Sequence, residues 1–160
     1  MKILAVQSRM GIGDTVIFLP FIKALSKKFN SPISILVKEN SKANQYLHQT
    51  KYIDKILILE RDNKTNNRHG GFFGIFKLAK DLKKYKFDKI FIFNSSLRFN
   101  LVAKISGIPQ IYQYPLFTKN KQHIIETPKK FLKENLHLDI NEDPEVQIDS
   151  DLISKAAQKF

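Results

Sequence analysis

The sequence predicts an α/β fold, a Rossmann-like parallel sheet flanked by helices. Three observations carry that prediction. Short apolar runs alternate with segments of helical period, the first run breaks on a glycine turn that opens a helix, and the strands recur at the spacing of right-handed crossover units.

Lys2 to Gln7 (KILAVQ) is a brief, mostly apolar run ended by a polar, glycine-containing stretch, which fits a buried strand. After the turn at Ser8 to Gly13, Phe18, Phe21, Ile22, Leu25 and Phe29 recur at three- and four-residue steps, so an amphipathic helix runs from Asp14 with its lysines outside. Pro20 should kink this helix or mark a delayed start. Ile33 to Lys38 is a second strand, Ser41 to His48 a short helix capped by Asn40 or Ser41, and Asp54 to Glu60 a third strand. Arg61 to Gly71 breaks every periodicity and contains no aliphatic or aromatic side chain, so it is a loop, longer than the usual link of about 4 to 6 residues.

Phe72 to Tyr85 returns to helical spacing through Ile75, Leu78, Ala79 and Leu82, and Asp88 to Phe93 is a fourth strand. Ser95 or Ser96 caps a helix with Leu97, Leu101, Val102 and Ile105 on one face, and Gly107 is placed to end it. Gln110 to Tyr114 is a short fifth strand. Farther on, Lys119 to Lys133 is basic with room for one helix, Asn141 to Pro144 reads as linker, and Asp151 to Phe160 begins another helix.

Composition narrows the function. With 160 residues, of which 42% are hydrophobic and 26% charged, the chain has the make-up of one globular domain. The absence of cysteine excludes a disulfide scaffold, a thiolate metal site and a thiol nucleophile. A formal charge of +12 points to phosphate-bearing partners, whether nucleic acid, an anionic membrane face or a phosphorylated substrate. Joint enrichment in Lys, Ile, Asn and Phe is equally what an A- and T-rich genome would produce. The opening apolar run is too short for a signal peptide, and no window reaches the roughly 18 to 20 apolar residues that span a bilayer, so any membrane role is expected to be peripheral.

Met10 to Thr15 (MGIGDT) lies between the first strand and the first helix, where ligands of parallel sheets gather and helix amides favour an anion. Gly11 and Gly13 let a ligand approach the backbone closely. Asp14 is either an N-cap or first-turn acid or a group that faces a ligand. A dinucleotide fingerprint would need a third glycine where Val16 stands, and no G-K-[ST] phosphate loop occurs. Asp149, Ser150 and Asp151 precede a helical run and read as a cap, and His48, His69, His123 and His137 lack ligand spacing, so no metal is expected. Lys64, Arg68 and His69 lie in the long loop, which either overhangs the crevice or is solvated surface.

KILAVQ followed by MGIGDT, IFLPFIKAL with its proline, ISILVKEN and YIDKILILE resembles the N-terminal half of glycosyltransferase family nine, the ADP-heptose:lipopolysaccharide heptosyltransferases and their relatives. FDKIFIFNSSLRFNLVAKISGI followed by IYQY is similar to that family's strand, SLR-type helix and short strand. The resemblance covers Met1 to Tyr114. It implies the N-terminal half of a GT-B architecture, in which residues 1–145 bind the acceptor, 146–160 begin the interdomain linker helix, and the donor-binding domain lies outside this chain. It implies inverting transfer without metal or cofactor, from a nucleotide sugar such as ADP-heptose to a lipid-linked glycan, at the cytoplasmic side and peripherally at the inner membrane. These residues alone would be inactive.

The family's glycine-aspartate pair falls on Gly13 and Asp14, which makes Asp14 the implied general base. Gly11, Gly13, Thr15, Lys64, Arg68, Ser96 and Arg98 are the candidate acceptor contacts, the arginines because guanidinium pairs bidentately with phosphate. Met10 and Gly11 stand where many members carry a Ser-Ser pair, which leaves the acceptor's identity open. The alternative is a stand-alone basic Rossmann-like module that binds nucleic acid or a partner protein. No interleaving of aromatic and basic residues and no helix-turn-helix pattern supports it, so nucleic acid is not the expected partner.

Overall fold

A computed structural model describes residues 1–9, 11–61, 67–116, 124–144 and 157–158. Strand β1 (Ile3–Val6) leads to helix α1 (Ile12–Phe29) and strand β2 (Ile33–Lys38). A 3-10 turn (Glu39–Ser41), the one-turn helix α2 (Ala43–Tyr46) and strand β3 (Ile53–Leu59) follow. Then come α3 (Gly71–Lys83), β4 (Lys89–Ile92), α4 (Leu97–Ile105), β5 (Gln110–Gln113) and α5 (Glu126–Leu136). The strands form one sheet in the order β3-β2-β1-β4-β5, every adjacent pair parallel. The expected Rossmann-like sheet is therefore observed.

Alternation along β1 explains the layers. Ile3 and Ala5 point into a cluster with Phe18, Phe21 and Leu25 of α1 and Phe131 and Leu132 of α5, while Leu4 and Val6 point into another with Leu78 and Leu82 of α3 and Val102 of α4. Phe91 of β4 is fully buried in the first cluster. Its ring stacks on Tyr112 at 4.6 Å and 5° and meets Phe29 and Phe131 at 5.9 and 6.5 Å.

Local chemistry sets the helix ends. α1 stops where Asn30 turns left-handed at φ 48°, with Ser31 donating back to the Ser26 carbonyl at 3.1 Å. Ser96 caps α4 by accepting from the Arg98 amide at 3.3 Å, and Gly107 beyond its end has φ 78°.

Three expectations change. α1 runs through Pro20 from Ile12, so the proline does not delay the start. The helix expected over Ser41 to His48 is divided, because Lys42 takes a left-handed conformation (φ 54°) between the 3-10 turn and α2, and Ser41 Oγ accepts from the Ala43 amide at 3.3 Å. α4 buries Phe99, Val102 and Ala103, and turns the expected inner residues Leu97, Leu101 and Ile105 outward. Residues 117–123, the Asp149–Asp151 triplet and the proposed boundary at 145 lie outside the described residues, as does all of the final expected helix except 157–158.

Phe91→Ala should lower the unfolding free energy by about 3 to 5 kcal/mol in urea titrations, because neighbouring rings cannot close the space. The same change at exposed Phe73 should stay within about 0.5 kcal/mol.

Candidate functional site

The strand order reverses between β1 and β4, so the helices after them leave on opposite faces, and the carboxyl ends of these two strands form the switch point at which open parallel sheets bind ligands. Asn94 Nδ2 donates across it to Ser8 Oγ at 3.1 Å, and the Phe93 amide donates to the Val6 carbonyl at 3.1 Å. The glycine turn forms one wall. Gly11 sits at φ 97°, ψ 162° as the residue that caps α1, a conformation closed to ordinary side chains. The cap residue of α1, Gly11, brings no side-chain acceptor to the amides of the first turn.

Asp14 is the first-turn acid of α1, two residues beyond its first residue, and is half-buried. Its Oδ2 lies so near Gly11 that a Cβ there would sit 4.0 Å away. Gly11 and Asp14 thus adjoin, while Gly13 is exposed in the same turn. Buried Thr15 donates its hydroxyl proton to the Gly11 carbonyl at 3.2 Å, tying the turn to the helix.

The opposite wall is the β4–α4 turn. Ser96 donates its amide to Asn94 Oδ1 at 3.0 Å, and Gln113 Nε2 donates to the Asn94 and Ser96 carbonyls at 3.2 and 2.7 Å. Asn100 Nδ2 in turn donates to Gln113 Oε1 at 3.0 Å. This wall is fixed by side-chain amides.

The arginines hold intramolecular partners. Arg98 donates to the Gly71 carbonyl at 2.7 Å and to the His69 carbonyl, fastening the start of α3 to the start of α4. Gly74 permits the close passage, since a Cβ there would overlap the His69 carbonyl. Arg68 is exposed and bidentate on Asp81, one contact at 2.8 Å. His69, buried, accepts the Glu60 amide on Nδ1 at 3.0 Å, so its proton sits on Nε2, 3.0 Å from Asp81 Oδ2. Partial burial works to raise the Asp81 pKa, but the hydrogen bonds from Arg68 and His69 and the charge of Arg68 hold it below its ordinary value. This cluster borders a cavity of about 360 Å³ against β3 and α3, whose lining includes Arg68, His69 and Asp81 and none of Gly11, Asp14 or Ser96.

The structure therefore brings Gly11, Gly13, Asp14 and Thr15 together on one turn and Ser96 onto the turn that faces it. Arg68 belongs to the Asp81 cluster and Lys64 lies outside the described residues. Among the described residues no carboxylate and histidine group could hold a metal, and no helix is long and apolar enough to cross a membrane.

Two polar groups at the carboxyl edge went unnoticed in the sequence. Gln7, just past β1, is 4% exposed, and neither atom of its amide has a hydrogen-bond partner among the described residues. The Tyr114 hydroxyl, just past β5, is likewise buried without one, and burial raises its pKa despite nearby Arg9. The polar Gln7 closing an apolar strand was the available signal.

No protein-family model and no curated protein matches the chain. Solved structures do. The glycosyl transferase family 9 protein from Veillonella parvula superimposes with TM-score 0.72 at 17% identity, over 98% of this chain and 48% of that one. E. coli ADP-heptose lps heptosyltransferase II follows with 0.68 at 15%, over 100% and 50%. E. coli heptosyltransferase WaaC with ADP-2-deoxy-2-fluoro heptose gives 0.54 at 13%, over 89% and 50%. The chain thus spans about half the length of these structures and shares their Rossmann-like fold, as expected of half a GT-B architecture.

Asp81→Asn tests the cluster through acid unfolding. A carboxyl whose folded pKa is lowered contributes stability that is present above its ordinary value of 3.8 and lost as pH falls through the folded value. Urea titrations from neutral pH down to about pH 2 should show a shallower acid limb in the variant. Gln7→Met should raise stability by about 1 kcal/mol in the same measurement at neutral pH, because it removes an unpartnered buried amide.

Proposed function

We propose that this chain is the acceptor-binding half of an inverting glycosyltransferase that moves a heptose-like sugar from a nucleoside diphosphate donor to a lipopolysaccharide-type glycan. The observation that carries the reading is Asp14, seated beside Gly11 where the strand order reverses, in a fold shared with structures described as heptosyltransferases. That location is where ligands of open parallel sheets bind.

The chemistry is a displacement at the anomeric carbon. Asp14 accepts the proton of an acceptor hydroxyl as its oxygen bonds to that carbon, and the nucleoside diphosphate departs from the opposite face with the electrons of the broken bond. Gly11 and Gly13 leave room for the acceptor against the backbone, and Thr15 holds the turn that presents Asp14. Ser96 lines the facing turn. Lys64 is a further candidate acceptor contact, and Arg68 and Arg98 would serve by holding the β3–α3 loop and α4 in place. The scheme assigns no metal and no cofactor. The donor, ADP-heptose in this reading, is held by a second domain, and the reaction runs on the cytoplasmic side.

Asp14→Asn, made in a polypeptide that also carries a donor-binding half, tests the assignment. Transfer from ADP-heptose should fall by about 10²- to 10⁴-fold in kcat, with acceptor affinity changed little. Near-normal turnover in a folded variant would remove Asp14 as the base.

A further inference from the structure

The turn that presents Asp14 contains Gly11 and Gly13, so it has room for a ligand but few side chains of its own to hold it. Thr15 supplies the first restraint. Its side chain is buried, and its hydroxyl donates to the Gly11 carbonyl at 3.2 Å, the usual return of a helical threonine to the carbonyl one turn back. The restraint does not end there. Tyr46 of α2 hydrogen-bonds the Thr15 side chain, and its hydroxyl donates to the Ser41 carbonyl at 3.0 Å. A hydroxyl has one proton and two lone pairs, so two protons serve the three contacts that run from Gly11 through Thr15 and Tyr46 to Ser41. Removing either hydroxyl cuts the link between the two carbonyls.

The far end of this chain is firmly seated. Ser41 is fully buried, its Oγ accepts the Ala43 amide at 3.3 Å, and Lys42 turns left-handed at φ 54° with its amide on the Glu39 carbonyl at 3.1 Å. The Tyr46 side chain packs against the apolar cluster beneath α1, which leaves its hydroxyl a task separate from packing. Burial pushes the phenol's pKa up against the opposing Thr15 bond, so it keeps its proton at neutral pH. At the near end Asp14 directly precedes Thr15 and its Oδ2 adjoins Gly11, so slackening the closure between Thr15 and Gly11 moves the carboxylate with it. We propose that Tyr46 is a positioning residue for Asp14, bracing the glycine turn from α2 through the Thr15 hydroxyl. The link to catalysis rests on the glycosyltransferase reading of Asp14, whereas the brace itself stands on the hydrogen bonds.

Y46F and T15V each remove one hydroxyl and keep the shape of the side chain. In the 160-residue chain, hydrogen exchange followed by NMR should show the protection of amides 13–17 lowered roughly three- to tenfold in Y46F, the worth of one hydrogen bond. Amides of α4 that open locally, across the sheet, should keep the parent's protection. T15V should lower protection at least as much, and T15V with Y46F no more than T15V alone, because both changes cut the same chain. T15S, which keeps a hydroxyl, should recover most of what T15V loses. In a polypeptide that also carries a donor-binding half, Y46F should lower kcat for transfer from ADP-heptose by about three- to tenfold with the acceptor KM changed little, a split that lost packing alone would not produce. Unchanged protection in Y46F, additive effects of T15V and Y46F, or a loss confined to KM would overturn the proposal. Absence of transfer in the parent polypeptide would count against the glycosyltransferase reading, and the exchange measurements would still decide the brace.

Discussion

A parallel strand at the centre of a sheet has no solvated side, and the rest of this structure follows from that constraint. Ile3, Leu4, Ala5 and Val6 of β1 and Ile90, Phe91 and Ile92 of β4 are all at most 1% exposed, so both faces must be covered by helices. Crossover connections of one hand send α1 to one face and α3 and α4 to the other. Chemistry is then left to the turns at the carboxyl edge, and the reversal between β1 and β4 decides which turns face each other. Asp14 owes its place to this topology more than to any contact it makes.

The edge is rigid because polar side chains are used on the protein itself. Asn94, Ser96, Gln113 and Asn100 form a connected set across β4, α4 and β5, and Arg98 extends it to the loop before α3. Charge-assisted bonds from guanidinium to carbonyl are stronger than neutral ones and define direction, which suits a residue that must hold two helix starts in register. The glycine turn works differently. Gly11 takes a positive φ that favours glycine, so the turn beside Asp14 is bare backbone there, while the facing turn is tied by side-chain amides.

Much of the fold was legible because period and burial coincide. β2 occupies Ile33–Lys38 as its apolar run suggested, and the spacing of Ile75, Leu78, Ala79 and Leu82 identified the buried face of α3. α4 misled for a physical reason. It carries Leu97, Leu101 and Ile105 on one side and Phe99, Val102 and Ala103 on another, so periodicity offered two apolar faces and only the sheet beneath could choose between them. Arg68 was ambiguous in the same way. A cation in a polar loop looks available until the fold brings up a carboxylate, and Asp81 arrives from the next helix. The glycine turn and Asp14 could be placed from sequence because strand, turn and helix are contiguous there. For Gln7 only its polarity at the end of an apolar strand was legible, and for Tyr114 nothing was, since an unpartnered buried amide or hydroxyl is a property of what surrounds it.

The two helical layers also differ in what they leave outside. α1 directs its lysines to solvent and its rings inward, whereas α3 and α4 keep large apolar side chains on the surface beside lysines. Such a surface invites association, and a high net charge opposes it by keeping copies apart. The positive charge is therefore compatible with an exposed aromatic cluster in a way that a neutral chain would not be. Because helices of parallel units begin at the edge where strands end, the rings of α3 and the carboxylate of α1 are brought to one side of the molecule by topology alone.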